Sequence, residues 1–195
     1  MIEMIKPVKN GTITADFDQR RPLSVPEEDR SYNHDATDFG LIPRGTDIYA
    51  PESGTMFCWT AYRKEGDERW PELPVVHGKP FTFANYFYDI YGGIIVLQVH
   101  LDHNVIRTHI IAHTYANQIY NHLFKGEYSP TIEEKKDNRF AIHGQYTKKI
   151  EVKAGDKIGE VGNAGYSTGP HIHWEIHPGN RRYNHGERLN PEDYI

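Results

Sequence analysis

Residues 167–175 read Ser-Thr-Gly-Pro-His-Ile-His-Trp-Glu and set two imidazoles one residue apart where a strand-forming run begins. Successive side chains alternate faces along a β-strand, so His171 and His173 project to one side and Ile172 and Trp174 to the other. Neutral imidazole is a zinc ligand and, titrating near neutrality, a proton carrier, so an adjacent pair can divide those duties. A catalytic zinc needs three protein ligands, with the fourth position left to water. His34 and Asp38, four residues apart ahead of a Gly- and Pro-rich turn, make that count together with one histidine of the 171/173 pair. A second pair, His109 and His113, shares parity on another strand, and either can face the same centre. Glu175 has the parity of His173 and reads either as a carboxylate supporting a ligand or as half of a salt bridge along the strand. Taken singly, H-x-H and H-x-x-x-D are weak patterns. Their weight lies in occurring together.

The elements that must position these residues are strands. The segments "GTITADF", "TDIYAPESGTMFCWTAY", "GGIIVLQVHL", "VIRTHIIAH", "KIGEVG" and "HIHWEIH" are rich in Ile, Val, Thr and aromatics and are bounded by Gly, Pro, Asp or Asn. They predict a mainly β protein built of antiparallel sheets with few short helices. Asp102, His103 and Asn104 are placed to turn one strand back on the next as a hairpin. Thr131 and Glu134 have the spacing of a capping box and predict the start of a short helix, and "NPEDYI", with Asn190 as cap and Pro191 in the first position, predicts a closing turn. Two stretches, about 63–90 and 115–149, interrupt the strand rhythm as long loop insertions on a core of about 7–62, 91–114 and 150–195. Such excursions either carry function or decorate the surface, and the sequence favours neither reading. At 195 residues the chain suits a single domain.

Composition narrows the function. A net charge of −5 argues against a broad basic surface for nucleic acid or an anionic membrane. The single cysteine, Cys58, forms no intramolecular disulfide or thiolate cluster and reads as a packed strand residue. No apolar run reaches the length of a signal peptide or a membrane span, so we expect no Sec signal and no membrane span. "DFG" at 38–40 has no accompanying kinase motifs, and the glycines at 159, 162 and 165 lack the spacing of a phosphate-binding loop and are expected to serve tight turns.

The order of motifs resembles the lysostaphin/LytM-type zinc endopeptidases of peptidoglycan: "HDATD", then "GTDIYAPESGTM", then "IIAH" closing a strand, then "STGPHIHWE". The lead-in "GTITADFDQR" and the closing "LNPEDYI" are similar too. Ala36 stands where many members have glycine, a small change. The resemblance implies sheets forming a substrate groove and one Zn²⁺ per chain, held by His34, Asp38 and His173. It implies His113 and His171 as the unliganded catalytic histidines, with Glu175 behind the ligands. It further implies hydrolysis of a peptide bond in the stem or cross-bridge of bacterial peptidoglycan, in the cell wall or periplasm. A phage lysin or virion-associated enzyme, in company with phage structural proteins, needs no Sec signal of its own. The competing expectations are a catalytically silent wall-binding or activator module and a purely structural phage component.

Overall fold

The computed structural model describes residues 3–18, 34–64, 75–76, 79–80, 86–114, 131–137, 140–146, 149–165, 167–180 and 187–195. In chain order its strands are β1 (Thr12–Ala15), β2 (Thr37–Gly40), β3 (Asp47–Tyr49), β4 (Gly54–Lys64), β5 (Val75–Val76), β6 (Lys79–Pro80), β7 (Tyr86–Leu101), β8 (Asn104–Thr114), β9 (Thr131–Asp137), β10 (Phe140–Tyr146), β11 (Ile150–Val152), β12 (Lys157–Glu160) and β13 (Ile172–Pro178). Among the described residues, nine strands form one antiparallel sheet in the order β1, β2, β13, β8, β7, β4, β10, β9, with β11 also paired to β4. β3 pairs with β12, and β5 with β6, in two small sheets. The chain is mainly β, as its patterning predicts.

The centre of the sheet is the β7–β8 hairpin. Residues 94–99 of β7 are buried on both faces, which is why this run is almost continuously apolar and not alternating. The hairpin turns at Asp102 and His103, both with positive φ (49° and 68°), the geometry of a two-residue loop whose twist matches the strands it joins. The expected C-terminal turn is a 3₁₀ helix, Pro191–Tyr194, whose first turn is capped by Asn190 Oδ1 accepting from the Glu192 N–H at 3.0 Å.

The helix expected from Thr131 is a strand. Residues 131–137 form β9, paired along their length with β10, which itself pairs with β4. A capping box is only a local signal, and a helix this short costs more to nucleate than it returns, whereas a ladder to an existing sheet edge satisfies the same backbone groups cooperatively. Both excursions thus contribute sheet among their described residues, since β4 and β7 also remain paired outward to Lys64 and Tyr86.

One face of the sheet packs the main core. Met56, Cys58, Ile95, Leu97, Ile111, Ile172, Trp174 and Ile176 meet Phe39, Ile48, Ile158 and the N-terminal Met4 and Val8. Cys58 is 1% exposed, and burial pushes its thiol up, so it is a packed and unreactive side chain as expected. His109 faces this side. Its Nδ1 accepts from the Trp174 indole N–H at 3.2 Å, which puts its proton on Nε2, and Nε2–H donates to Glu52 at 2.9 Å. Arg107 completes the group with two hydrogen bonds to Glu52, at 2.9 and 2.6 Å. Burial would raise the Glu52 carboxyl, but the hydrogen bonds from His109 and Arg107 outweigh it and hold it at about 2.

A depressed carboxylate pKa has a defined pH signature. The stability Glu52 contributes is fully present above its unfolded value of about 4.5 and is lost as pH falls through the folded value of about 2. Urea midpoints of the wild type and Glu52→Gln should therefore differ most above pH 5 and converge as pH falls from 4.5 toward 2. A constant difference over that window would assign the Glu52 contribution to packing alone.

Candidate metal centre

The other face of the same sheet gathers the polar residues. β2 and β13 are antiparallel neighbours, and their register sets Asp38 directly opposite His173, so the two side chains leave the sheet on the same side. Asp38 Oδ1 lies 3.0 Å from His173 Nδ1. His34, on the bend leading into β2, brings Nε2 to 3.2 Å from the same oxygen and 3.3 Å from His173 Nδ1. A tetrahedral zinc with bonds of about 2.0–2.1 Å spreads its ligand atoms roughly 3.3 Å apart, so this triangle has the dimensions such an ion requires.

The remaining ring nitrogens are already committed. His34 Nδ1–H donates to the Asp16 carbonyl at 3.0 Å, and the His34 carbonyl accepts from the Asp18 N–H at 2.6 Å, which ties the bend to the chain beyond β1. His173 Nε2–H donates to Glu175 Oε1 at 3.0 Å. In its neutral form each histidine directs its remaining ring nitrogen toward Asp38. The carboxylates beside them favour the charged form of His173. Burial by itself would lower His173, but hydrogen bonds to Asp38 and Glu175 raise it to about 10. Burial likewise opposes ionisation of Asp38, yet His173 and His34 hold it far below the usual carboxylate range.

Asp35, His173 and Glu175 form a second grouping with metal-ligand chemistry. Its two carboxylates already share a guanidinium. Arg188 Nη2 lies 2.7 Å from Asp35 and its Nε 3.4 Å from Glu175, so an ion there would sit against a guanidinium. The donor set that fits a metal is His34 Nε2, Asp38 Oδ1 and His173 Nδ1.

His113 reaches this face through a break in strand alternation. Parity groups it with His109, on the core side, but the β7–β8 register passes from Ile95↔Ile111 to Gly93↔Thr114, two steps on β7 against three on β8. This bulge, with φ of +61° at His113, turns the side chain over. The expectation that both histidines share a face fails here: His109 packs beside Trp174, while the His113 ring centroid lies 4.6 Å from His171 and 5.9 Å from His173. A positive φ on a non-glycine residue costs of order 1–3 kcal/mol and persists only where its surroundings impose it. Here they do. His113 Nδ1–H donates to the Ala164 carbonyl at 2.9 Å, and the Ala164 N–H returns to the His113 carbonyl at 3.3 Å. The loop approaches so closely that a Cβ on Gly162 would lie 2.5 Å from the His113 carbonyl oxygen, and one on Gly92 2.5 Å from the Ala164 carbonyl carbon. Of the glycines expected to serve turns, Gly165 does so with φ of 78°, whereas Gly162 is needed for contact.

Burial, then the neighbouring His171 and His173, push His113 down to about 3, so it is neutral at physiological pH with its lone pair on Nε2. His171 immediately precedes β13, and its Nδ1–H is directed to the Gly169 carbonyl at 2.8 Å and to Ser167 Oγ at 3.1 Å. Ser167 in turn donates to Asn163 Oδ1 at 2.6 Å. The far nitrogen of His171, Nε2, lies 3.8 Å from Asp38 Oδ2, beside the ligand triangle and outside it. The structure therefore brings together His34, Asp38, His113, His171 and His173, with Glu175 fully buried behind His173.

Several contributors were not apparent from sequence. Ser167 and Asn163 orient His171, Tyr91 stands edge-on to His173 with centroids 5.6 Å apart, and His177 and Arg188 meet Glu175. Only two had a signal: His177 continues the alternation His171, His173, Glu175, and Ser167 opens the motif that carries the two histidines. The others arrive from loops or distant strands.

Comparison with known proteins agrees with this architecture. The family model described as peptidase family M23 matches residues 139–191, a span that holds His171, His173 and Glu175. A 54-residue stretch is 44% identical to an uncharacterized metalloprotease of Buchnera aphidicola subsp. Baizongia pistaciae (strain Bp), and that match spans 25% of this chain and only 13% of the relative. Among solved structures, a mutant catalytic domain of the prophage-encoded M23 protein EnpA from Enterococcus faecalis aligns with a TM-score of 0.51 at 19% identity, covering 99% of this chain and 96% of that one. The catalytic domain of the antimicrobial peptidase lysostaphin from Staphylococcus simulans aligns with a TM-score of 0.51 at 18% identity, covering 95% and 92%. At these identities what is shared is the fold. The C-terminal part of the chain is thus similar to peptidase family M23, and the chain as a whole shares its fold with the lysostaphin and EnpA catalytic domains.

Proposed function

We propose that the protein is a zinc endopeptidase that hydrolyses a peptide bond in the stem or cross-bridge of bacterial peptidoglycan. The observation that carries this reading is the convergence of His34 Nε2, Asp38 Oδ1 and His173 Nδ1 within 3.3 Å of one another, with two further imidazoles alongside. A zinc ion held by those three residues would supply Lewis-acid chemistry, lowering the pKa of water and polarising an amide carbonyl.

The chain's own residues account for the protons. Amide hydrolysis requires a proton to be taken from water and one to be given to the leaving amine. His113, its tautomer fixed by Ala164, presents Nε2 as an acceptor, and His171, fixed by Gly169 and Ser167, does the same. An imidazole that accepts the water proton becomes the donor the amine needs. With ring centroids 4.6 Å apart the two histidines divide proton transfer and stabilisation of the charge developing on the carbonyl oxygen. The complete set of five separates this reading from a silent wall-binding module, which has no use for oriented tautomers.

The substrate class rests on the likeness to lysostaphin-type proteins, and action in the wall or periplasm follows from it. Delivery by a phage particle or at lysis suits the likeness to a prophage-encoded protein. Among the described residues no helix is long and apolar enough to cross a membrane. Mass spectrometry of muropeptides released from Gram-negative and Gram-positive sacculi tests the reading. New peptide termini should appear with one wall type, vanish on chelation and return with added zinc. Zinc-loaded protein that releases nothing from any wall would overturn the substrate, and folded protein that takes up no zinc would overturn the enzyme.

A further inference from the structure

We infer that Arg188 is a positioning residue for the metal centre, its guanidinium joining the bend that carries His34 to the carboxylate that orients His173. The inference deepens the zinc reading above and rests on it. Glu175 is fully buried on the face of β13 that carries His173, and one carboxylate oxygen accepts from His173 Nε2–H at 3.0 Å. A carboxylate behind a ligating imidazole fixes the tautomer and ring orientation and makes the ligating nitrogen more basic. That carboxylate must itself be held in place without water. Its second oxygen accepts from His177 Nε2 at 2.6 Å and faces Arg188 Nε at 3.4 Å.

The outer edge of the same guanidinium reaches the other half of the site. Arg188 Nη2 lies 2.7 Å from Asp35 Oδ2, and Asp35 immediately follows His34. One planar fork therefore connects the His34–Asp38 bend with the residue behind His173, although Arg188 lies 13 residues beyond Glu175 in the chain. Charge is consistent with this role. One guanidinium between the Asp35 and Glu175 carboxylates leaves the group net negative, favourable beside a cation, whereas Glu175 unaccompanied would be a costly buried charge. Lysine cannot substitute, because a single ammonium lacks the planar fork that presents separate donors to two carboxylates.

The test measures the metal and not turnover. Zinc affinity of the full chain is determined by competition with a chromophoric chelator, and the visible spectrum of the Co²⁺-loaded protein reports the geometry around the ion. Arg188→Lys should weaken zinc binding 10- to 100-fold, the usual cost of losing a partner behind a ligand, and shift the Co²⁺ bands. Asp35→Asn, at a partly exposed position that leaves the Arg188 contact to Glu175 in place, should weaken it in the same sense by less. A folded Arg188→Lys protein with wild-type affinity and spectrum overturns the inference. Should that variant not fold, wild-type affinity in Asp35→Asn overturns it instead. Wild-type protein that binds no zinc at all is a different failure, that of the zinc reading itself.

Discussion

His173→Ala should take up no zinc at concentrations that saturate the wild type, and its hydrolytic activity should fall to background. The residue supplies the only ligand atom on β13, directly opposite Asp38, and two donors do not make a zinc site. Binding to the native state stabilises it by RT ln(1 + [L]/Kd), about 4 kcal/mol at a thousandfold excess over Kd, so added zinc should raise the melting temperature of the wild type by several degrees and leave the variant unmoved. Glu175 keeps His177 and Arg188, and Asp38 keeps His34, so the metal-free variant retains partners for both carboxylates and should fold. Metal analysis and melting curves with and without zinc check this. A variant that still binds one zinc with wild-type affinity would move the centre elsewhere.

His113→Ala should do the reverse, keeping zinc and fold and losing turnover. Removing a general acid or base costs on the order of 10²- to 10⁴-fold, and because His113 stands beside the ligand triangle the loss should fall on kcat far more than on KM. His109→Ala is the control with the opposite profile. It leaves the Trp174 N–H and the Glu52 carboxylate each short of a partner, at about 1–3 kcal/mol for a buried group, so it should lower stability while the folded fraction keeps its turnover. Steady-state kinetics beside zinc stoichiometry and urea midpoints separate the two. If His113→Ala loses its metal, His113 is a ligand; if His109→Ala is the inactive one, the histidine closing β8 has been assigned to the wrong role.

How much of this was legible in the chain depends on the range of the interaction concerned. The shared face of His171, His173, Glu175 and His177 is set by strand alternation, a property of neighbouring residues, and the sequence alone determines it once β13 exists. The hairpin at Asp102 and His103 and the cap at Asn190 are equally local, and both form as read. The motif order pointed to the five residues that meet. It could not supply the meeting itself, because Asp38 and His173 are 135 residues apart and only the β2–β13 register sets them opposite one another.

Where local rules failed, a distant contact had outweighed them. Thr131 has helix-cap spacing but lies in a strand, because β10 offers its backbone a complete ladder. His113 has the parity of the core face but points to the candidate metal site, because the β7–β8 bulge and the Ala164 loop impose a positive φ that no pattern along β8 encodes. Arg188 carries no signal of its own, since a guanidinium is placed by the two carboxylates it spans and not by its neighbours in the chain. The sequence by itself determined the ligand types, their faces and the chemistry they can perform. The tertiary structure decided which lone pairs converge, which tautomers are held and which buried charges are balanced, because hydrogen bonds and ion pairs depend on distances that close only when the strands have paired.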